Sequence, residues 1–142
     1  MPLTRVYLPV TADDLEGLMG DAPLGPTPIA AHGVTPALGR PGRTGDEEAL
    51  EHLAWVAATE EADALRDGST RRVVLSADVD DGTVAVPAGG DVPSRVELLA
   101  GVPRSRVVSF HVDESPGDTG TADLLWFDVT ELGDVLELLA AD

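Results

Sequence analysis

The stretch from Thr44 to Val79, TGDEEALEHLAWVAATEEADALRDGSTRRVVLSADV, constrains this chain more than any other. It reads as one long helix feeding one buried strand, and the remaining elements are too short to stand without packing against that pair. Thr44 and Glu47 have the spacing of a capping box, in which hydroxyl and carboxylate each satisfy an orphan backbone N–H. Asp46, Glu47 and Glu48 place negative charge at the positive end of the helix dipole. Gly68 is a natural stop after Arg66 and Asp67. Winding at 100° per residue gathers Leu50, Leu53, Ala54, Ala57, Ala58, Ala64 and Leu65 on one arc, with Leu50 and Leu53 as its anchors. Glu61 falls inside the arc, and overhang beyond the sheet edge is the expected way to keep its carboxylate hydrated. Trp55 falls at the rim, beside a polar face of Glu48, His52 and Thr59.

Around this pair the chain alternates strands and short helices. Thr4 to Val10 alternates with Val6, Leu8 and Val10 on one side, which predicts a half-buried strand. Thr11 caps a helix over Ala12 to Met19, with Asp14 at the capping-box position and Leu15, Leu18 and Met19 inward. The Pro/Gly-rich run from Asp21 to Arg43 is too long for a structureless loop, so a strand is expected at Ile29 to Val34. GRPGR lacks both the spacing and the preceding strand of a phosphate loop. Arg72 to Val79 buries Val73, Leu75, Ala77 and Val79, and Thr83 to Val86 is expected to pair back on it as a hairpin. Further strands are predicted at Arg95 to Leu99, at Ser105 to Asp113 with Val108, Phe110 and Val112 inward, and at Leu124 to Val129. Thr130 caps a closing helix with Leu132, Val135, Leu136 and Leu139 in a stripe. The pattern predicts a single α+β (or α/β) sandwich domain over residues 1–142: one mixed sheet of five or six strands, with three helices mainly on one face.

Composition removes several functions. At 142 residues with 43% hydrophobic content, the chain can bury a proper core. A formal net charge of −17 argues against nucleic-acid binding, because phosphate neutralisation needs a basic surface. All nine basic residues are arginines, as a high-GC genome favours, and the carboxylates are scattered rather than ranked along one face, which disfavours DNA mimicry. The absence of cysteine fits a reducing cytoplasm. No signal peptide is expected from MPLTRVYLPV, and no apolar stretch approaches membrane-spanning length.

RVYLPVTADDL, VTPAL, GDEEALEHLA, RRVVLSADV, VPRSRVVSFHVDE and LLWFDVTEL together resemble a small actinobacterial family of uncharacterised function, in the same order and over nearly the whole chain. The resemblance implies a cytoplasmic actinobacterial origin. It implies no activity and no functional residues.

No catalytic signature emerges from the residues. The three histidines form no HExxH, and there is no G-x-S-x-G, no thiol and no G-x-G-x-x-G. His32 and His52 are expected at the surface. His111 and Asp113 share a strand face, and an H-x-D of this kind can hold a divalent metal, although a polar pair facing water is the expected state. Strand alternation assigns Arg5, Tyr7, Arg72, Ser76, Ser109, His111, Asp113, Trp126 and Asp128 to the sheet face away from the helices. Its mixture of rings, arginines and carboxylates marks a candidate binding surface, with Tyr7, Arg72, His111 and Trp126 exposed and close together. The sequence therefore favours a non-enzymatic protein-interaction or regulatory domain, without cofactor, whose partner is another protein or a second copy of itself. The alternative is a metal-assisted hydrolase or small-molecule binder using His111 and Asp113.

Overall fold

The computed structural model describes residues 2–36, 47–65, 71–87, 92–118 and 124–141. The elements run β1 (Leu3–Val10), α1 (Ala12–Met19), β2 (Ile29–Gly33), α2 (Glu47–Ala62), β3 (Val73–Asp80), β4 (Val84–Ala85), β5 (Arg95–Leu98), β6 (Val107–Val112), β7 (Leu125–Asp128) and α3 (Leu132–Ala140). One seven-stranded sheet has the order β4-β5-β2-β1-β3-β6-β7. Every strand pairing in it is antiparallel, so the sheet is neither mixed nor limited to five or six strands, and the fold is α+β. The expected hairpin of residues 83–86 with β3 does not form. A 3-10 turn at Asp81–Thr83 redirects the chain, and β4 pairs with β5 at the far edge.

The two sheet faces differ in chemistry. On one, Val6, Leu8 and Val10 of β1 meet Val73, Leu75 and Ala77 of β3, and Phe110 and Val112 of β6. Leu15 and Leu18 of α1 and Leu132 and Val135 of α3 close over this face. α1 forms as its sequence dictates: the Thr11 hydroxyl accepts from the Asp14 N–H at 3.3 Å, and the Asp14 carboxylate accepts from the Thr11 N–H at 2.9 Å. Met19 turns outward, against expectation. Thr130 does not cap α3; Asp128 caps the 3-10 turn Val129–Glu131 that leads into it. The Asp128 carboxylate accepts from the Thr130 N–H, and Glu131 reaches back to the Asp128 N–H.

α1 and α3 share one face as expected, but α2, the longest helix, lies on the opposite one. It packs Ala54, Ala58 and Ala62 against Tyr7 and Val74, flanked by Leu50 and Trp55. The expected leucine-led arc is rotated: Leu53 is 39% exposed, and Leu65 is exposed as well. The reason is the sheet beneath, which presents His32, Arg95, Arg5 and Ser76 alongside Tyr7 and Val74. A face with so few apolar side chains has little for leucines to bury against, whereas alanines let the backbone come close. The Thr44 capping box, Asp46, the Gly68 stop and GRPGR lie outside the described residues.

Candidate functional site

The site builds from period-two alternation on the α2 side. β1 contributes Arg5 and Tyr7, β3 contributes Ser76, β6 contributes Ser109 and His111, and β7 contributes Trp126. The registers set these side by side: Tyr7 opposite Ser76, Ser76 opposite Ser109, His111 opposite Trp126. The register slips between Ser76 and Ala77, pairing Ala77 with Val107, so Val108 leaves the core and joins the same face. Residues 48, 51, 52 and 55 follow helical spacing, which turns Glu48, Glu51, His52 and Trp55 of α2 toward the sheet edge as a facing wall. Between wall and floor lies a cleft of about 730 Å³, with Leu124 also in its lining.

Its floor is a hydrogen-bonded chain. Ser76 Oγ and Ser109 Oγ are 2.6 Å apart, and Ser109 Oγ lies 3.2 Å from His111 Nε2. Trp55 meets the His111 ring edge-on at 5.7 Å and stacks on His52 at 5.6 Å. The Trp55 indole N–H is buried and has no hydrogen-bond partner among the described residues. Trp126 stands at the rim, 60% exposed. Arg5 donates to Asp78 from Nε at 2.6 Å and from Nη2 at 3.1 Å, so its charge is neutralised at the cleft edge. Burial, aided by the Arg5 charge, pushes the His111 imidazole down to about 4, and the ring is uncharged at neutral pH. Burial also pushes the Tyr7 phenol and the Glu51 carboxyl above their ordinary values. A hydroxyl beside an uncharged imidazole could start nucleophilic chemistry, but no carboxylate orients His111 among the described residues. The cleft is equipped to hold a molecule by stacking and hydrogen bonding.

The other expected face residues go elsewhere. Arg72 and Asp113 form a buried bidentate pair, 4% and 1% exposed, with Nη2 to Oδ1 at 2.8 Å and Nε to Oδ2 at 2.9 Å. The Arg72 backbone N–H also donates to Asp113 Oδ2 at 2.6 Å, so a metal would have to displace arginine from both oxygens. No group of three metal-ligating side chains occurs among the described residues. Asp128 is occupied as a cap. The exposed quartet of Tyr7, Arg72, His111 and Trp126 therefore does not exist: Tyr7 and Arg72 are buried, α2 covers the middle of the face, and Trp126 alone of the four stays open.

A second polar cluster ties α2 down. His32, expected at the surface, is buried; its Nδ1 lies 2.8 Å from Ser94 Oγ and its Nε2 lies 3.1 Å from Glu61 Oε2. Arg95 Nη2 donates to the same Glu61 oxygen. Glu61 is thus an ion-pair partner rather than an overhanging charge. Ser94, His32 and Glu61 follow the order of a catalytic triad with the ring nitrogens exchanged, and Ser94 is 1% exposed, so its hydroxyl serves the fold.

The residues missing from the expected site are Val108 and Leu124 of the sheet side and four of α2: Glu48, Glu51, His52 and Trp55. The spacing of those four on one helix face is visible in the sequence, but the sheet face they meet is not. Among the described residues, no helix is long and apolar enough to cross a membrane. No curated protein and no solved structure matches the chain. Residues 4–136, nearly the whole length over which β1 to α3 assemble around this cleft, match the family of unknown function DUF6912, and the chain belongs to that family.

Proposed function

We propose that this protein is a non-enzymatic binding domain that holds a small organic molecule in the cleft between α2 and the β1–β3–β6–β7 floor. The observation that carries this is the convergence of Tyr7, Trp55, His111 and Trp126 with the Ser76 and Ser109 hydroxyls around about 730 Å³. That size, and a ring-rich lining with a few placed polar groups, suit a ligand site. A concave cleft of this volume with one exposed ring suits a small molecule better than a flat protein partner. Arginine as the sole basic residue type and the lack of cysteine support a high-GC, actinobacterial host and a reducing cytoplasm. The test is a thermal-shift screen of small molecules, with hits titrated against tryptophan emission. Ligand at a hundredfold excess over Kd stabilises by about 2.7 kcal/mol, a readable rise in Tm. Hits whose binding is lost in Trp126→Ala support the cleft, whereas a screen without saturable hits overturns it.

Trp126 on edge strand β7 favours one second reading, a protein contact at that edge, including self-association. A sedimentation profile that depends on concentration in the native protein and not in Trp126→Ala would support it.

A further inference from the structure

Resting on the small-molecule reading above, we infer that the cleft selects an organic cation, an alkylated or protonated amine, held against the Trp55 and Trp126 rings with Glu48 and Glu51 at its mouth. Three observations converge on charge of that sign. The wall offered by α2 carries two carboxylates and an indole within eight residues, and the floor opposite carries a phenol and a second indole. Ring faces attract cations through their quadrupole, and tryptophan does so best.

The positive charge already present is offset by a carboxylate partner. Among the described residues Arg5 is the only arginine lining the cleft, and both its Nε and Nη2 donate to Asp78. His111 is uncharged at neutral pH because of its burial. Nothing on the floor therefore repels an incoming cation strongly, while the mouth is crowded with like charge. Burial holds the Glu51 carboxyl above its ordinary range, and Glu47, Asp78 and Glu48 push it the same way against Arg5. A cation at the mouth would relieve that crowding, and a carboxylate ligand would add to it. A formal net charge of −17 further concentrates cations near the surface.

The lining also separates an organic cation from a metal ion. Hard metals require a cage of oxygen ligands, and no group of three candidate ligands occurs among the described residues. Indole faces and the Val108 and Leu124 side chains suit a cation that carries its own methyl groups. The Ser76 and Ser109 hydroxyls are buried and bonded to each other, so the half-buried neutral imidazole of His111 beside them is the group placed to hydrogen-bond a hydroxyl or carbonyl on the same molecule.

The chain has two tryptophans and both line the cleft, so intrinsic emission reads the site directly. Choline chloride and its neutral isostere 3,3-dimethyl-1-butanol are titrated into the intact protein at constant ionic strength, with sodium chloride as the balancing salt. Choline should give a saturable emission change with affinity about tenfold above that of the alcohol, as a cation–π contribution of about 1.4 kcal/mol requires. Glu51→Gln and the more exposed Glu48→Gln should each weaken choline by about threefold and leave the alcohol unchanged. Either variant suffices if the other loses its native circular dichroism. Equal affinity for choline and the alcohol overturns the cationic inference and leaves the small-molecule reading standing. No saturation by choline overturns it as well, and the small-molecule reading falls only if the wider screen also yields no saturable compound.

Discussion

Glu61 shows how much one carboxylate can hold in a protein with few apolar contacts on one side of its sheet. Its Oε2 receives His32 and Arg95 together, joining α2 to β2 and β5. The side chain is 28% exposed, so solvent weakens the pair and the cost of a fully buried charge does not apply. Glu61→Gln keeps the shape and one oxygen but removes the charge, and should destabilise by about 1–2 kcal/mol in urea melts. A loss below about 0.5 kcal/mol would mean that alanine packing alone seats the helix. His111 provides a second measure at this scale. Its folded value of about 4 lies below its ordinary 6.5, so between those values the unfolded chain binds the extra proton. Stability from the neutral ring is fully present above about 6.5 and is lost as pH falls toward about 4. Urea midpoints from pH 7 to 4 should therefore fall more steeply for the native protein than for His111→Gln. Burial pushes His32 down as well, but it is common to both proteins and drops out of the comparison. Parallel slopes would show that His111 is hydrated in solution.

At the scale of the element, α2 is the part whose orientation matters most. Ala54, Ala58 and Ala62 recur every four residues and are buried, so one line of methyl groups sets the helix's distance from the sheet. Ala58→Leu should cost about 1–3 kcal/mol by forcing that distance open. Leu53→Ala should cost less than about 1 kcal/mol, because Leu53 is 39% exposed and alanine favours the helix. Equal losses in the two variants would contradict the observed helix face. The same element marks where the sequence stops being legible. α1 and its capping box could be read to the residue, because a cap is a local interaction among Thr11, Asp14 and the backbone between them. The strand faces were legible too, except at Val108, which was expected inward and is turned out by the register slip, and alternation put Arg5, Tyr7, Ser76, Ser109, His111 and Trp126 on one side. The side on which α2 packs was not, since it depends on contacts to His32 and Arg95, distant in sequence. Favouring the largest apolar residues turned Leu53 inward, when the polar sheet face needed alanines and Glu61. The burial of Arg72 with Asp113 was hidden for the same reason: each reads as a surface charge until the neighbouring strand supplies the other.

For the whole molecule, charge is the dominant uncompensated term. With 26 acidic residues and nine arginines, pairing every arginine would still leave 17 carboxylates without an arginine partner. Among the described residues, Arg5, Arg72, Arg95, Arg104 and Arg106 hold carboxylates. Salt acts on the two populations in opposite directions. Screening weakens the exposed pairs, each worth about 0–1 kcal/mol, and hardly reaches Arg72–Asp113 in the interior. It also relieves repulsion among the surplus carboxylates, which the folded state holds closer together than the unfolded chain does. The surplus of 17 exceeds even the nine pairs that all the arginines together could form, so relief should win. Raising sodium chloride from about 10 mM to about 150 mM shortens the screening length from about 30 Å to about 8 Å, less than the span of the sheet. Tm should rise over that range, most steeply at the low end, and flatten as the screening length falls below typical carboxylate spacings. Adjusting to pH 5 at low salt, where carboxylates begin to protonate, should reduce the salt response by removing the same repulsion. A Tm that fell with added salt at neutral pH would mean that the arginine pairs outweigh the surplus, and that the acidic surface is neutralised by ion pairing far beyond those five contacts.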